Sequence, residues 1–157
     1  MPIVEGRIRV DSPQETVFDL AQDYGARLDW DPFLSRIVFR DGATEANVGV
    51  KVWVRAKNGL SMEVVYVTYD RPRSTAMKMI DGPRFFERFA GTWKFDRRDD
   101  GSTEVTFRYN FETRWRVLRR VLNPAIGVVF GRDIRLRLEG LKGAAERRGH
   151  QRESDVT

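Results

Sequence analysis

The chain has no cysteine and a single histidine, His150, in 157 residues. The first absence removes disulfides, thiolate nucleophiles and sulfur-ligated metal sites. The second removes His-based triads and clustered His metal centres. No metal site or cofactor is therefore expected, and any catalysis would rest on carboxylates, tyrosine, lysine, arginine or a positioned water. No apolar run approaches the roughly 18 residues that span a bilayer, and the N-terminus has no signal-peptide core. A cytoplasmic protein is the expectation.

What is there is ordinary in amount and uneven in placement. Hydrophobic residues make up 41% and charged residues 32%, which suits one globular domain with a real core. That domain is expected over residues 1–148, with 149–157 a disordered polar tail; a monomer or homodimer would serve. Residues 1–113 carry 17 Lys/Arg against 18 Asp/Glu, whereas residues 114–157 carry 11 against 5. The excess positive charge of the chain thus belongs to its C-terminal segment.

Near the N-terminus, Val4, Gly6, Ile8 and Val10 alternate with Glu5, Arg7 and Arg9, as in a strand with one wet face. Ser12-Pro13-Gln14-Glu15 has the form of a helix-capping box. Val17, Leu20, Ala21 and Tyr24 share one helical face, and Gly25 is expected to end that helix. "ARLDWDPF" predicts one further helical turn and a loop. Strands are expected at about 36–41, 47–56, 60–70, 73–80, 84–97 and 102–113, separated by "DGAT", "KNG", "DRPR", "DGP" and "RRDDGS". Connections this short imply an antiparallel meander. Beyond them Ile126, Val129, Phe130, Ile134, Leu138, Leu141 and Ala145 recur at helical spacing. Pro124 is expected to divide this region into a piece at about 115–122 and a long helix at 124–147. The class is α+β: seven strands, two short helices between the first two, and a long amphipathic helix covering the concave face.

Taken in order, "V-D-S-P-Q-E-T-V-F-D-L", "W-D-P-F", "G-T-W-K-F", "G-S-T-E-V-T" and the terminal "R-L-E-G-L-K" resemble the SRPBCC (START-like, birch-pollen-allergen-like) superfamily, in particular its bacterial polyketide cyclase/dehydrase-like branch. The resemblance implies a helix-grip fold: a curved seven-stranded antiparallel sheet wrapped around the long C-terminal helix. It also implies a deep apolar cavity for lipids, sterols, polyketides or similar molecules. Members of that superfamily range from lipid carriers to aromatase/cyclases and hydrolases, and it has no universal catalytic motif to carry over. Binding or transport of a small hydrophobic molecule, a cofactor-independent cyclase or dehydratase, and a membrane-surface lipid-transfer protein all stand open.

Alternation places Met62, Tyr66, Met77, Met79, Phe85, Phe89, Trp93, Phe107 and Tyr109 on the inner side of the sheet, and Phe130, Ile134 and Leu138 on the facing helix. Trp30 and Phe33 lie in a loop near the expected entrance. Asp133 flanks the helix's apolar stripe, where it can reach the cavity mouth. Glu87 is the candidate acid or base, because strict alternation aligns it with Phe85, Phe89 and Trp93, and burial would raise its pKa. Arg116, Arg119 and Arg120, interleaved with Trp115, Val117, Leu118, Val121 and Leu122, resemble an interfacial helix for an anionic membrane surface. Acidic residues on the strand faces argue against nucleic acid as a partner.

Overall fold

The computed structural model describes residues 2–157. Strand β1 (Ile3–Val10) is followed by helices α1 (Gln14–Gln22) and α2 (Tyr24–Trp30). Then come β2 (Leu34–Phe39), β3 (Lys51–Ala56), β4 (Ser61–Asp70), β5 (Ser74–Asp81), β6 (Phe86–Arg97) and β7 (Thr103–Thr113), and the chain ends in helix α3 (Arg119–Asp155). All seven strands form one antiparallel sheet in the order β1-β7-β6-β5-β4-β3-β2. This is the helix-grip arrangement. β1 forms one edge of the sheet beside β7, and α3 packs against both strands.

Local details depart from expectation in four places. The Ser12–Glu15 capping box is not made: Pro13 occupies the cap position without a side-chain bond, and Glu15 instead accepts from Arg97 at 2.7 Å. Gly25 does not end a helix; Asp23 separates α1 from α2, its carboxylate accepting from the amides of Gly25 and Ala26. β3 starts at Lys51 rather than 47, and Val48 is exposed in the preceding turn. Finally, Pro124 does not divide the C-terminal region. Apart from a single 3-10 turn at Arg116–Leu118, α3 runs unbroken from Arg119 through the expected polar tail to Asp155. Pro124 lies in the second turn, where it forfeits only the bond to the Arg120 carbonyl. Past residue 148 there is no further proline, and adding residues to an existing helix is far easier than starting one.

Two apolar clusters fill the concave side. The larger joins Val17, Phe18 and Leu20 of α1 to Trp93 and Phe95 of β6, Val105 and Phe107 of β7, and Ile134, Leu138, Leu141 and Ala145 of α3. Trp93 is fully buried, with its ring stacked 3.8 Å from that of Phe107. The smaller unites Tyr24, Ala46, Val52, Val64 and Tyr66 under the other end of the sheet.

Two glycines set how closely α3 is held. A Cβ on Gly6 would lie 2.5 Å from Ile134 Cγ2, so its absence lets α3 settle directly on β1. A Cβ on Gly140 would collide with the backbone carbonyl of Trp30, which cannot rotate away. Gly140→Ala should accordingly destabilise the fold by about 1–3 kcal/mol, although alanine is the better helix former. A lowered midpoint in urea denaturation would register this; an unchanged or raised midpoint would refute the close approach.

Candidate functional site

α3 lies close to β1 from Gly127 and Gly131, which face Val4, to Ile134 and Leu138, which face Gly6. Between the N-terminal part of the helix and the strands farther from β1 there is a cavity of about 340 Å³. That lies within the range of small-molecule sites. From α3 it is lined by Ala125, Ile126, Val129, Phe130, Asp133 and Arg137. The sheet contributes Leu34, Val54, Ala56, Ser61, Met62, Val64, Met77, Phe86, Phe89, Gly91, Trp93, Phe107 and Tyr109. α2 and the adjoining loops add Tyr24, Arg27, Phe33, Asn58, Leu60, Pro83 and Phe85. Aromatic rings crowd one wall: Phe130 packs edge-on to Phe89, Tyr109 and Phe111 and lies nearly parallel to Phe86.

Of the side chains expected at a ligand, Phe33, Met62, Met77, Phe85, Phe89, Trp93, Phe107, Tyr109, Phe130 and Asp133 lie on this wall. Five others do not. Ile134 and Leu138 are spent on the contact with β1 at Gly6. Met79 packs over the β5–β6 turn at Gly82. Trp30 is buried between α2 and α3, with the Arg27 guanidinium carbon 4.8 Å from its ring. Tyr66 is in the smaller core cluster, its hydroxyl 2.6 Å from that of Tyr24 and donating to Gln22 Oε1 at 2.8 Å. Burial pushes the Tyr66 phenol well above its ordinary pKa.

Glu87 requires the main correction. In the pairing of β6 with β7, Phe86 faces Thr113 and Arg88 faces Glu112, leaving Glu87 as the extra residue of a β-bulge. The bulge turns both Glu87 and Arg88 to water and brings Phe86 to the cavity wall. Regular alternation resumes at Phe89, opposite Phe111. Glu87 is half exposed, 3.4 Å from Arg119 on the outer side, and cannot serve as an acid or base inside the cavity. Arg119 also donates to Glu112 at 2.8 Å and to the Thr113 carbonyl at 3.0 Å, which removes it from the set expected to meet a membrane.

The polar part of the site is a buried cluster that strand alternation did not reveal. Asp31, at the end of α2, is 1% exposed. Its Oδ2 accepts from Arg27 Nε at 2.8 Å and from Arg137 Nε and Nη2 at 3.1 and 2.9 Å. Its Oδ1 accepts from the Phe33 amide at 3.0 Å. Arg27 also donates to the Ala21 carbonyl, and Arg137 to the Tyr109 hydroxyl. The Arg137 guanidinium lies between the rings of Phe33 and Phe107, at 5.0 and 4.9 Å. A sequence signal for Arg137 did exist. It falls seven residues after Phe130, three after Ile134 and four before Leu141, on the buried face of the helix.

Burial opposes ionisation of Asp31, but the charges of Arg137 and Arg27, with the hydrogen bonds from Arg27 and the Phe33 amide, outweigh it and hold its pKa below the usual value. Burial likewise opposes the charge on Arg137, and Asp31 and Tyr109 overcome it, so Arg137 stays a cation. Burial raises the Tyr109 phenol despite the nearby Arg137. Asp133, half-buried on the cavity wall, forms no ion pair among the described residues, and burial raises its pKa against the pull of Arg137 and Arg132.

With this geometry in place, sequence comparison gives the class. Residues 1–146 match the family described as polyketide cyclase / dehydrase and lipid transport, and the chain belongs to it. Its fold is similar to that of the Zhui aromatase/cyclase from Streptomyces sp. R1128, at 19% identity over 94% of either chain with a TM-score of 0.77. It is similar also to a protein from Thermus thermophilus, TTHA0849, at 16% identity over 92% of this chain and 97% of that one, TM-score 0.76. A START superfamily protein from Mycobacterium smegmatis aligns at 12% identity over the same shares, TM-score 0.74. No curated protein matches the chain. The chain thus shares the fold of these three structures, and no helix among its described residues is long and apolar enough to cross a membrane.

Because the Asp31 pKa is depressed on folding, its contribution to stability is fully present above the ordinary carboxylate value of about 4 and is lost as pH falls through the lower folded value. Acid titration of the wild-type chain should show cooperative loss of stability below about pH 4. Asp31→Asn should weaken the fold by about 3–5 kcal/mol at neutral pH, since it strands two buried guanidinium groups. Urea denaturation measures both effects, and a near-neutral Asp31→Asn would contradict the arrangement.

Proposed function

We propose that the chain binds a small hydrophobic molecule in the cavity between sheet and α3. The observation that carries this reading is an apolar, aromatic-walled space of about 340 Å³ with one polar cluster at its wall. Apolar burial at about 25 cal/mol per Å² supplies the affinity, and Arg27, Tyr109 and Arg137 fix the orientation of one polar end. Met62 and Met77 adapt to an irregular outline. Membership in a family that includes polyketide cyclases and lipid-transport proteins agrees with a ligand of this kind.

A second reading, contact with an anionic membrane surface, is favoured by the entrance. Val117, Val121 and Val128 are 92%, 72% and 75% exposed, beside exposed Trp115 and Leu118 and adjoining the lining residues Ala125 and Val129. Arg116 and Arg120, exposed and in no ion pair among the described residues, flank this patch. A lipid surface satisfies both the apolar and the cationic part. An enzymatic reading would rest on Asp133 and Tyr109 rather than Glu87.

Native mass spectrometry of protein purified from its own host should show a co-purifying hydrophobic molecule. Val129→Trp, which narrows the entrance without touching the core, should reduce its occupancy about tenfold. Consistently empty protein would refute the binding reading. For the membrane reading, the chain should float with phosphatidylglycerol vesicles and not with phosphatidylcholine vesicles, and Arg116→Glu with Arg120→Glu should abolish flotation. Equal flotation with both vesicle types would count against it.

A further inference from the structure

The buried polar cluster is unbalanced in a way that specifies more than "one polar end". It holds two guanidinium groups and one carboxylate, and the carboxylate is saturated. Asp31 Oδ2 already accepts three bonds from the two arginines, and Oδ1 takes the Phe33 amide. What is left over is entirely donor. Arg27 uses Nε on Asp31 and Nη1 on the Ala21 carbonyl, so Nη2 is left without a hydrogen bond among the described residues, in a side chain that lines the cavity. Tyr109 accepts from Arg137 through its oxygen, and its own O–H finds no acceptor among the described residues. Trp93 Nε1 is buried and unpartnered as well, in a ring that lies 5.3 Å from the Arg27 guanidinium carbon. All three side chains line the cavity.

A buried donor without an acceptor, as at Trp93 Nε1, is costly and rare in native proteins. A network built only to tie α2 to α3 needs one arginine per carboxylate, and the second would be a liability. The one carboxyl on the cavity wall among the described residues, Asp133, is only half-buried and forms no hydrogen bond to either arginine, so it is not part of this network. Since the surplus in this cluster is one positive charge with unused N–H and O–H groups, the missing component is an oxygen acceptor carrying negative charge.

Resting on the reading of the cavity as a ligand site, we infer that its ligand is an amphipathic acid whose carboxylate sits against Arg27 and Tyr109, with its apolar body along Phe89, Phe130 and Met77. A neutral alcohol or ester would leave the surplus charge uncompensated. A cationic head would face two guanidinium groups. The cavity therefore selects on head-group charge as well as on apolar bulk.

Displacement of Nile red, a neutral dye, from the purified chain by decanoate, decanol and decylamine at neutral pH tests this, the three chains being matched in length. Decanoate should displace the dye at about tenfold lower concentration than decanol, the usual worth of a charge-assisted bond, and decylamine should be weakest. The preference should persist in high salt, because a buried contact is little screened. In Arg27→Gln the ratio of decanoate to decanol displacement should fall to about one, and Arg27→Lys should keep a preference for the acid. Decanol equal to decanoate, decylamine tightest, or a preference that vanishes in salt would each overturn the inference while leaving the cavity a ligand site. Failure of the dye and all three ligands to bind would instead remove that underlying reading, and this one with it. The comparison on the unaltered chain decides the matter even where a variant fails to fold.

Discussion

Two arginines from different helices converge on one carboxylate, and much of the site depends on that contact. Asp31 fixes the end of α2, Arg137 reaches it from α3, and Arg27 reaches it from within α2. A buried ion pair is a poor source of net stability, because desolvation offsets most of the attraction. Its value lies in geometry. Few other arrangements can satisfy these groups, so α3 is held over α2 at one angular setting and at one depth. Gly140, pressed against the Trp30 carbonyl, lets the helices come close enough for the contact to form.

Seen along its length, α3 has two duties divided at about Asp133. Toward its C-terminus it behaves as core, with Ile134, Leu138, Leu141 and Ala145 closed against β1, β7 and α1. Toward its N-terminus it is the lid of a space it does not fill, with Phe130 as the last large side chain reaching down to the sheet. A curved sheet holding a straight helix produces such a wedge unless large side chains close it. Here they stop short, and the small or exposed residues Ala125, Val128 and Val129 leave the outer end open.

The fold was largely legible in the sequence because its signals are repetitive. Seven alternating segments with turn residues between them admit few topologies other than a meander, and a long apolar stripe at helical spacing has nowhere to go but its concave face. The site was legible only where it shares that periodicity, as at Phe89, Trp93 and Tyr109. It failed at Glu87, because a bulge changes which face a residue occupies without altering composition. It failed at Arg27 and Asp31 because a seven-residue helix is too short to display a face. Arg137 broke the helical pattern in plain view, but a single charge in an apolar stripe is easily read as solvated when its partner lies 106 residues away. The Ser12–Glu15 box shows the converse error, a local motif whose glutamate pairs with Arg97 instead.

The bulge at Glu87 has a wider consequence. By sending Glu87 and Arg88 outward, it leaves every cavity-facing position of the sheet uncharged, while Arg27, Asp133 and Arg137 all ride on helices. Shape and ionic character thus have separate carriers: the sheet acts as a mould, and the helices hold the charges presented to whatever fills it. A lineage could exchange one kind of head group for another through three helical positions, with the mould left as it was.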